Sequence, residues 1–130
     1  METLVRDLMT SPAVTCTADD SLAAAASTMQ GAETGSVVVT DDGKVVGILT
    51  ERDLLTKVVG CHPDFDLLPV SQFMTAEPEA VAATDSLAFA LHKMDIGGYR
   101  HLPVVKDGKP IGVISVRDML RHITKLCKES

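Results

Sequence analysis

The chain has 130 residues, 45% of them apolar, with a formal charge of −6 and a pI near 5.0. That length suits one compact domain or two small halves sharing a core, and with 3% aromatic residues and no Trp the core must be aliphatic. The acidic balance argues against a nucleic-acid binder, whose affinity comes from Lys and Arg neutralising phosphates, and no run approaches the roughly 18 apolar residues of a membrane span.

The chain opens on Met1-Glu2-Thr3-Leu4-Val5-Arg6-Asp7, which lacks the apolar run of a signal peptide, so a cytoplasmic protein is expected. Residues 5–9 read as a short helical lead-in and 13–16 as an extended segment. Asp20 or a neighbour then caps a helix in which Leu22, Ala25, Ala26 and Met29 recur at i, i+3, i+4 and i+7. An apolar strand follows at 36–39. Asp41-Asp42-Gly43-Lys44 makes a hairpin, because Asp-Gly accepts the positive φ angles of a type I′ turn. The returning strand is 45–49, and a helix of about ten residues follows Thr50.

The same order, β-α-β-β-α, then returns. Laid over residues 70–120 without a gap, residues 5–55 are identical at 18 of 51 positions. Met9-Thr10 falls on Met74-Thr75, Asp20-Ser21-Leu22-Ala23 on Asp85-Ser86-Leu87-Ala88, and Asp42-Gly43-Lys44 on Asp107-Gly108-Lys109. The second helix repeats the apolar face with Leu87, Ala90, Leu91 and Met94. The fold class expected is α+β, with repeat 1 at 1–60, a Pro- and Asp-containing linker at 61–69 and repeat 2 at 70–127. Either repeat alone is marginal in size. Two repeats packed sheet to sheet with pseudo-twofold symmetry would bury the apolar face that each sheet leaves open, with two clefts where they meet.

The stretch Gly47-Ile48-Leu49-Thr50-Glu51-Arg52-Asp53 and its counterpart Gly112-Val113-Ile114-Ser115-Val116-Arg117-Asp118 hold the chemistry. Each runs from a strand end into a helix start. A hydroxyl followed three residues later by a carboxylate matches a capping box, and a helix cap is the simplest reading of either copy alone. Asp is shorter than the Glu or Gln that suits a capping box best, and both copies keep Gly, hydroxyl and Asp. A carboxylate in this place can instead accept both hydroxyls of a ribose, as an acidic residue does in dinucleotide folds, while the hydroxyl reaches a phosphate.

With this duplicated signature, the β-α-β-β-α repeat and the segment Arg100-His101-Leu102-Pro103-Val104-Val105, the chain resembles the cystathionine β-synthase (CBS) domain family, in which two tandem copies form a Bateman module. The resemblance covers nearly the whole chain, from about Val5 to Leu120. It implies a regulatory module, not an enzyme, that binds adenosyl nucleotides (AMP, ADP or ATP, in some cases S-adenosylmethionine or NAD) in composite clefts. It implies no required cofactor, a homodimer paired through helices, and an effector protein of unknown identity. Carried over by position, one site takes Thr50 and Asp53 with Tyr99, Arg100, His101 and the backbone near Val81. The other takes Ser115 and Asp118 with Gly35, Ser36 and the backbone near Cys16. Because Arg100 is a forked, permanently charged donor and its counterpart is Gly35, the Asp53 site is expected to favour phosphorylated ligands and the Asp118 site to hold a less charged adenosyl ligand or stay empty. Gly97-Gly98 and the run 31–35 are expected to be loose approaches that order on binding. The alternative function is a ligand-free dimerisation scaffold whose signatures only cap helices.

Other residues suggest less. Cys16, Cys61 and Cys127 have no C-x-x-C spacing, and His62, His92, His101 and His122 have no ligand spacing, so no metal site is expected. Cys61-His62 abut in the linker, a poor setting for a catalytic thiol. Met9, Met29, Met74 and Met94 read as packing residues.

Overall fold

The computed structural model describes residues 2–58 and 64–129, so Cys61, His62 and the start of the expected linker lie outside the described residues. The elements in order are α1 (Val5–Leu8), β1 (Thr15–Thr17), α2 (Leu22–Gly31), β2 (Ser36–Asp41), β3 (Lys44–Thr50), α3 (Glu51–Lys57), β4 (Thr75–Ala76), α4 (Leu87–Gly97), β5 (His101–Lys106), β6 (Lys109–Ser115) and α5 (Val116–Glu129). Two single 3₁₀ turns, Phe65–Leu67 and Val70–Gln72, precede β4. The mixed α+β class agrees with the sequence, and the order α-β-β-α recurs in both copies, but the first extended segment of the second copy forms a single bridge at Val81 rather than a strand.

Local chemistry accounts for most element ends. Ser21 and Ser86 cap α2 and α4 by accepting from the Ala24 and Phe89 N–H groups, each at 3.1 Å. Asp20, considered as a cap, does a different job: its Oδ2 accepts from the Thr17 N–H at 2.9 Å and closes the preceding turn, and Asp85 repeats this on Ala82 at 2.8 Å. Both hairpins are type I′ in character, with φ of 53° and 79° at Asp42 and Gly43 and 54° and 79° at Asp107 and Gly108. Even the register shift repeats, falling after Val39 in one hairpin and after Val104 in the other. The helix after Thr50 is seven residues long within the described residues, not ten.

The chain forms two compact units, but they do not coincide with the sequence repeats: one is Ala13–Pro78, and the other joins Met1–Pro12 to Glu79–Ser130. Each repeat's lead-in belongs to the unit of the other repeat. In Ala13–Pro78 the sheet order is β1-β2-β3-β4, with β1 parallel to β2 and the rest antiparallel. In the other unit β5 and β6 pair, and single bridges, Val81 parallel to Val104 and Thr10 antiparallel to Val113, occupy the places of β1 and β4. The lead-ins also hold the first helices: the Leu22 N–H donates to the Leu68 carbonyl and the Leu87 N–H to the Thr3 carbonyl, each at 2.9 Å. Helix N-termini have free N–H groups that need such acceptors.

Each unit has its own aliphatic core. Leu22, Ala25 and Met29 of α2 meet Val37, Val39, Leu49, Val70 and Phe73 in one. Ala90 and Met94 of α4 meet Val5, Val81, Leu102, Val104, Ile114 and Met119 in the other. All four repeat methionines are structural, as their positions suggest. Leu91, placed on the buried face from spacing, is exposed; it stands at the margin of the apolar arc, where the smaller Ala26 stands in α2.

Candidate functional site

The signature glycines have a packing reason. A Cβ on Gly47 would run into the Met74 Sδ and come within 3.1 Å of the Thr75 carbonyl. One on Gly112 would lie 2.7 Å from the Thr10 carbonyl oxygen and 3.0 Å from the Met9 Sδ. The Met-Thr pair of one repeat therefore passes over the glycine of the other, and the two sequence features that recur in both copies explain each other.

Thr50 closes β3 with extended angles (φ −119°, ψ 163°), which turn its own N–H toward the first turn of α3. There the Asp53 Oδ2 accepts from the Thr50 N–H at 3.0 Å and from its hydroxyl at 3.1 Å, while the Asp53 N–H donates to Thr50 Oγ1 at 3.2 Å. Ser115 and Asp118 repeat the arrangement at 2.8, 2.9 and 3.2 Å. Both signatures are thus closed capping boxes. Asp is shorter than the Glu or Gln that suits a capping box best, yet it closes the box here because the extended cap residue brings its N–H within reach of the shorter side chain.

The cap occupies one carboxylate oxygen in each copy. The second oxygen has different company in the two units. Asp53 Oδ1 lies 3.0 Å from Lys57 Nζ and accepts from Thr75 Oγ1 at 3.4 Å, and the same ammonium donates to the Phe73 carbonyl at 3.0 Å. Asp118 Oδ1 has Arg121 Nη1 at 3.9 Å, on a side chain that is 71% exposed. Sequence reasoning passed over Lys57 and Thr75. The i, i+4 spacing of Asp53 and Lys57 was a usable signal for the first; Thr75 is brought in only by the exchanged lead-in.

The other candidate residues divide by unit. Gly35, Ser36 and Cys16 belong with Thr50 and Asp53 in Ala13–Pro78, and Tyr99, Arg100, His101 and Val81 with Ser115 and Asp118 in the other unit. Within its own unit each signature neighbours the segment that the resemblance assigns to its counterpart. The Gly35 carbonyl accepts from the Glu51 N–H and the Arg100 carbonyl from the Val116 N–H, both at 3.0 Å. Ser36 is in register with Thr50, and His101 with Ser115. Ser36 is 2% exposed, and its Oγ finds no hydrogen-bond partner among the described residues.

Two expectations about approach segments need correction. Gly98 (φ 70°) is the left-handed C-cap of α4, and the Tyr99 N–H donates to the Met94 carbonyl at 3.0 Å. The Tyr99 ring lies where a Gly97 side chain would be, so this glycine pair is built into the helix end rather than loose. In the first copy, Thr34 N–H donates to the Met29 carbonyl at 3.0 Å, and Thr34 Oγ1 donates to the Ser36 carbonyl at 3.3 Å. The Val81 backbone is also spent: its N–H donates to the Pro103 carbonyl at 3.0 Å, and its carbonyl accepts from Val105 at 2.9 Å. Cys16 is in register with Val39, its carbonyl accepting from Thr40 Oγ1 at 3.3 Å. Burial pushes its thiol up to about 11, with the Asp20 carboxylate adding to the effect, so it stays protonated and unreactive at neutral pH. Among the described residues no cluster of His, Cys, Asp and Glu could hold a metal ion, and no helix is long and apolar enough to cross a membrane.

Known proteins resemble this chain in sequence and in fold. The CBS domain matches the chain twice, over residues 5–60 and 70–125. An uncharacterised 17.7 kDa protein of Acidianus ambivalens is 36% identical over 125 residues, covering 95% of this chain and 74% of that protein. The CBS-domain-containing protein ATU1752 of Agrobacterium tumefaciens is 36% identical, with a TM-score of 0.83 and coverage of 93% of each chain. The CBS domain pair of protein MJ0100, crystallised with 5′-methylthioadenosine and S-adenosyl-L-methionine, shares the fold at 22% identity and a TM-score of 0.86, covering 96% of this chain and 98% of that one. Some relatives are much longer, and the chain spans 22% of the Arabidopsis thaliana protein CBSCBSPB1. CBS domain pairs are generally regulatory, ligand-binding modules rather than catalysts. The chain belongs to the CBS domain family, of which it contains two copies.

Proposed function

We propose that the protein is a regulatory module that binds an adenosyl ligand at its Thr50/Asp53 and Ser115/Asp118 signatures and passes the occupancy to another protein, acting as a homodimer. AMP, ADP, ATP, S-adenosylmethionine and NAD are the candidate ligands. One observation carries the reading: both capping boxes use Oδ2 alone, so Oδ1 of each carboxylate stands outside the cap and can accept from a ribose diol, at Asp118 directly and at Asp53 in exchange for its present donors. The adenosyl compounds in the MJ0100 structure support the ligand class. Ser36 Oγ, buried beside Thr50 and without a hydrogen-bond partner among the described residues, adds a further polar group.

A thermal-shift panel of the five ligands tests the proposal. A ligand at a hundred times its dissociation constant should stabilise by about 2.7 kcal/mol, which for a chain of this size is a rise of several degrees in Tm. The scaffold reading is the second one, favoured by the closed caps, which give every signature residue a structural task. It requires that no ligand shift the Tm and that the dimer form regardless.

A further inference from the structure

We propose that Lys57 makes the Asp53 signature selective for phosphorylated adenosyl ligands, by occupying its carboxylate until an anion draws the ammonium away. The inference rests on the ligand class proposed above and adds a discriminating residue to it.

The two signatures share a cap but differ at the remaining oxygen. A carboxylate has about four lone-pair sites. At Asp53 the two on Oδ2 are taken by Thr50, and Oδ1 faces Lys57 and Thr75, so the ribose diol of an incoming ligand has to displace a donor. At Asp118 the position matching Lys57 is His122, and the ion pair at Oδ1 is the long, exposed one with Arg121. Thr10, the counterpart of Thr75, pairs through its backbone with Val113 as Thr75 does with Ile48, but among the described residues its hydroxyl makes no hydrogen bond to Asp118. An uncharged adenosyl ligand therefore meets an occupied acceptor at Asp53 and a more open one at Asp118.

Lys57 is suited to give way. Its side chain is 42% exposed, so the pair is partly screened and costs little to separate. Its ammonium is a mobile point charge on a flexible stem that a phosphate can take as a partner. A phosphorylated ligand supplies the replacement anion and frees Oδ1 for its own ribose. Adenosine supplies none and must leave the ammonium with the Phe73 carbonyl alone. The Ser36 hydroxyl, in register with Thr50 and without a hydrogen-bond partner among the described residues, is a second polar group beside this signature.

Calorimetric titration with adenosine and with AMP tests the inference, on the full chain carrying Asp118→Asn so that only the Asp53 signature reports. The Asn amide oxygen can still accept from the Ser115 N–H, and circular dichroism checks that each variant is folded. The quantity read is the ratio of the adenosine and AMP dissociation constants. Lys57→Met should tighten adenosine, weaken AMP and lower the ratio about tenfold or more, the scale of one charged hydrogen bond. Lys57→Arg should keep the preference. An unchanged ratio in Lys57→Met overturns the inference and leaves the proposed function intact. Binding that disappears with Asp118→Asn alone does the same, because the ligand then sits at Asp118. Failure of the unsubstituted chain to bind either compound overturns the inference, and the five-ligand thermal-shift panel then decides the proposed function separately.

Discussion

Asp53 and Asp118 occupy equivalent places in the sequence, but the structure gives them unequal loads. Each closes a cap, a role usually worth about 1 kcal/mol. Asp53 also holds Lys57 and Thr75 from a nearly buried position. Asp53→Ala should therefore cost about 2 kcal/mol and Asp118→Ala about 1 kcal/mol, read from urea midpoints at constant m. Equal losses would show that Lys57 and Thr75 contribute nothing measurable. Cys16 gives a prediction in pH. Its thiol is raised from an ordinary 9.0 to about 11 in the folded chain, so the native state keeps its proton where the unfolded state loses it. Stability from this residue is intact below pH 9 and falls as pH rises toward 11, by about 2–3 kcal/mol in all. Cys16→Ala should flatten that alkaline slope in denaturant melts; a slope identical to wild type would assign it to other groups. The hydroxyl and carboxylate of each signature were legible from spacing, but the use made of each carboxylate oxygen was not, since Thr75 lies 22 residues from Asp53.

Among the elements, the hairpins and first helices were the most legible, because Asp-Gly turns and Ser caps act within four residues. The strand added at the sheet edge was not. The lead-ins at 5–10 and 70–75 read as parts of their own repeats, whereas each supplies the edge of the other repeat's unit. The glycine that permits this is a sensitive point, and the two copies should respond unequally to Ala. At Gly112 the new Cβ meets a backbone oxygen, which cannot move without breaking the Thr10–Val113 pairing. At Gly47 the first obstacle is a flexible Met74 side chain. Gly112→Ala should cost about 2–3 kcal/mol and Gly47→Ala about 1 kcal/mol, measured by chemical denaturation; the reverse order would mean that the Met74 side chain has nowhere to go.

For the whole molecule, the proposed dimer needs an apolar surface, and α5 offers one in Val116, Leu120, Ile123 and Leu126, all exposed. Exposed apolar groups gathered on one helix face commonly mark an association surface. Replacing Leu120 and Ile123 together by Glu should convert a dimer to monomers in sedimentation equilibrium at micromolar concentration. These side chains lie outside the unit's core, so the monomer's fold, followed by circular dichroism, should persist. A dimer that survives the double substitution would move the interface to another face.

By itself the sequence determined the duplication, the α+β element order, the hairpin type, the family and the two signatures, because each depends on residues a few positions apart or on a constant offset. The tertiary structure alone decided which lead-in completes which unit, why the signature glycine carries no side chain, and how each Asp divides its two oxygens. Those outcomes rest on contacts between distant segments, Met74 over Gly47 and Thr10 over Gly112, where steric fit and hydrogen-bond reach leave no periodic trace in the chain.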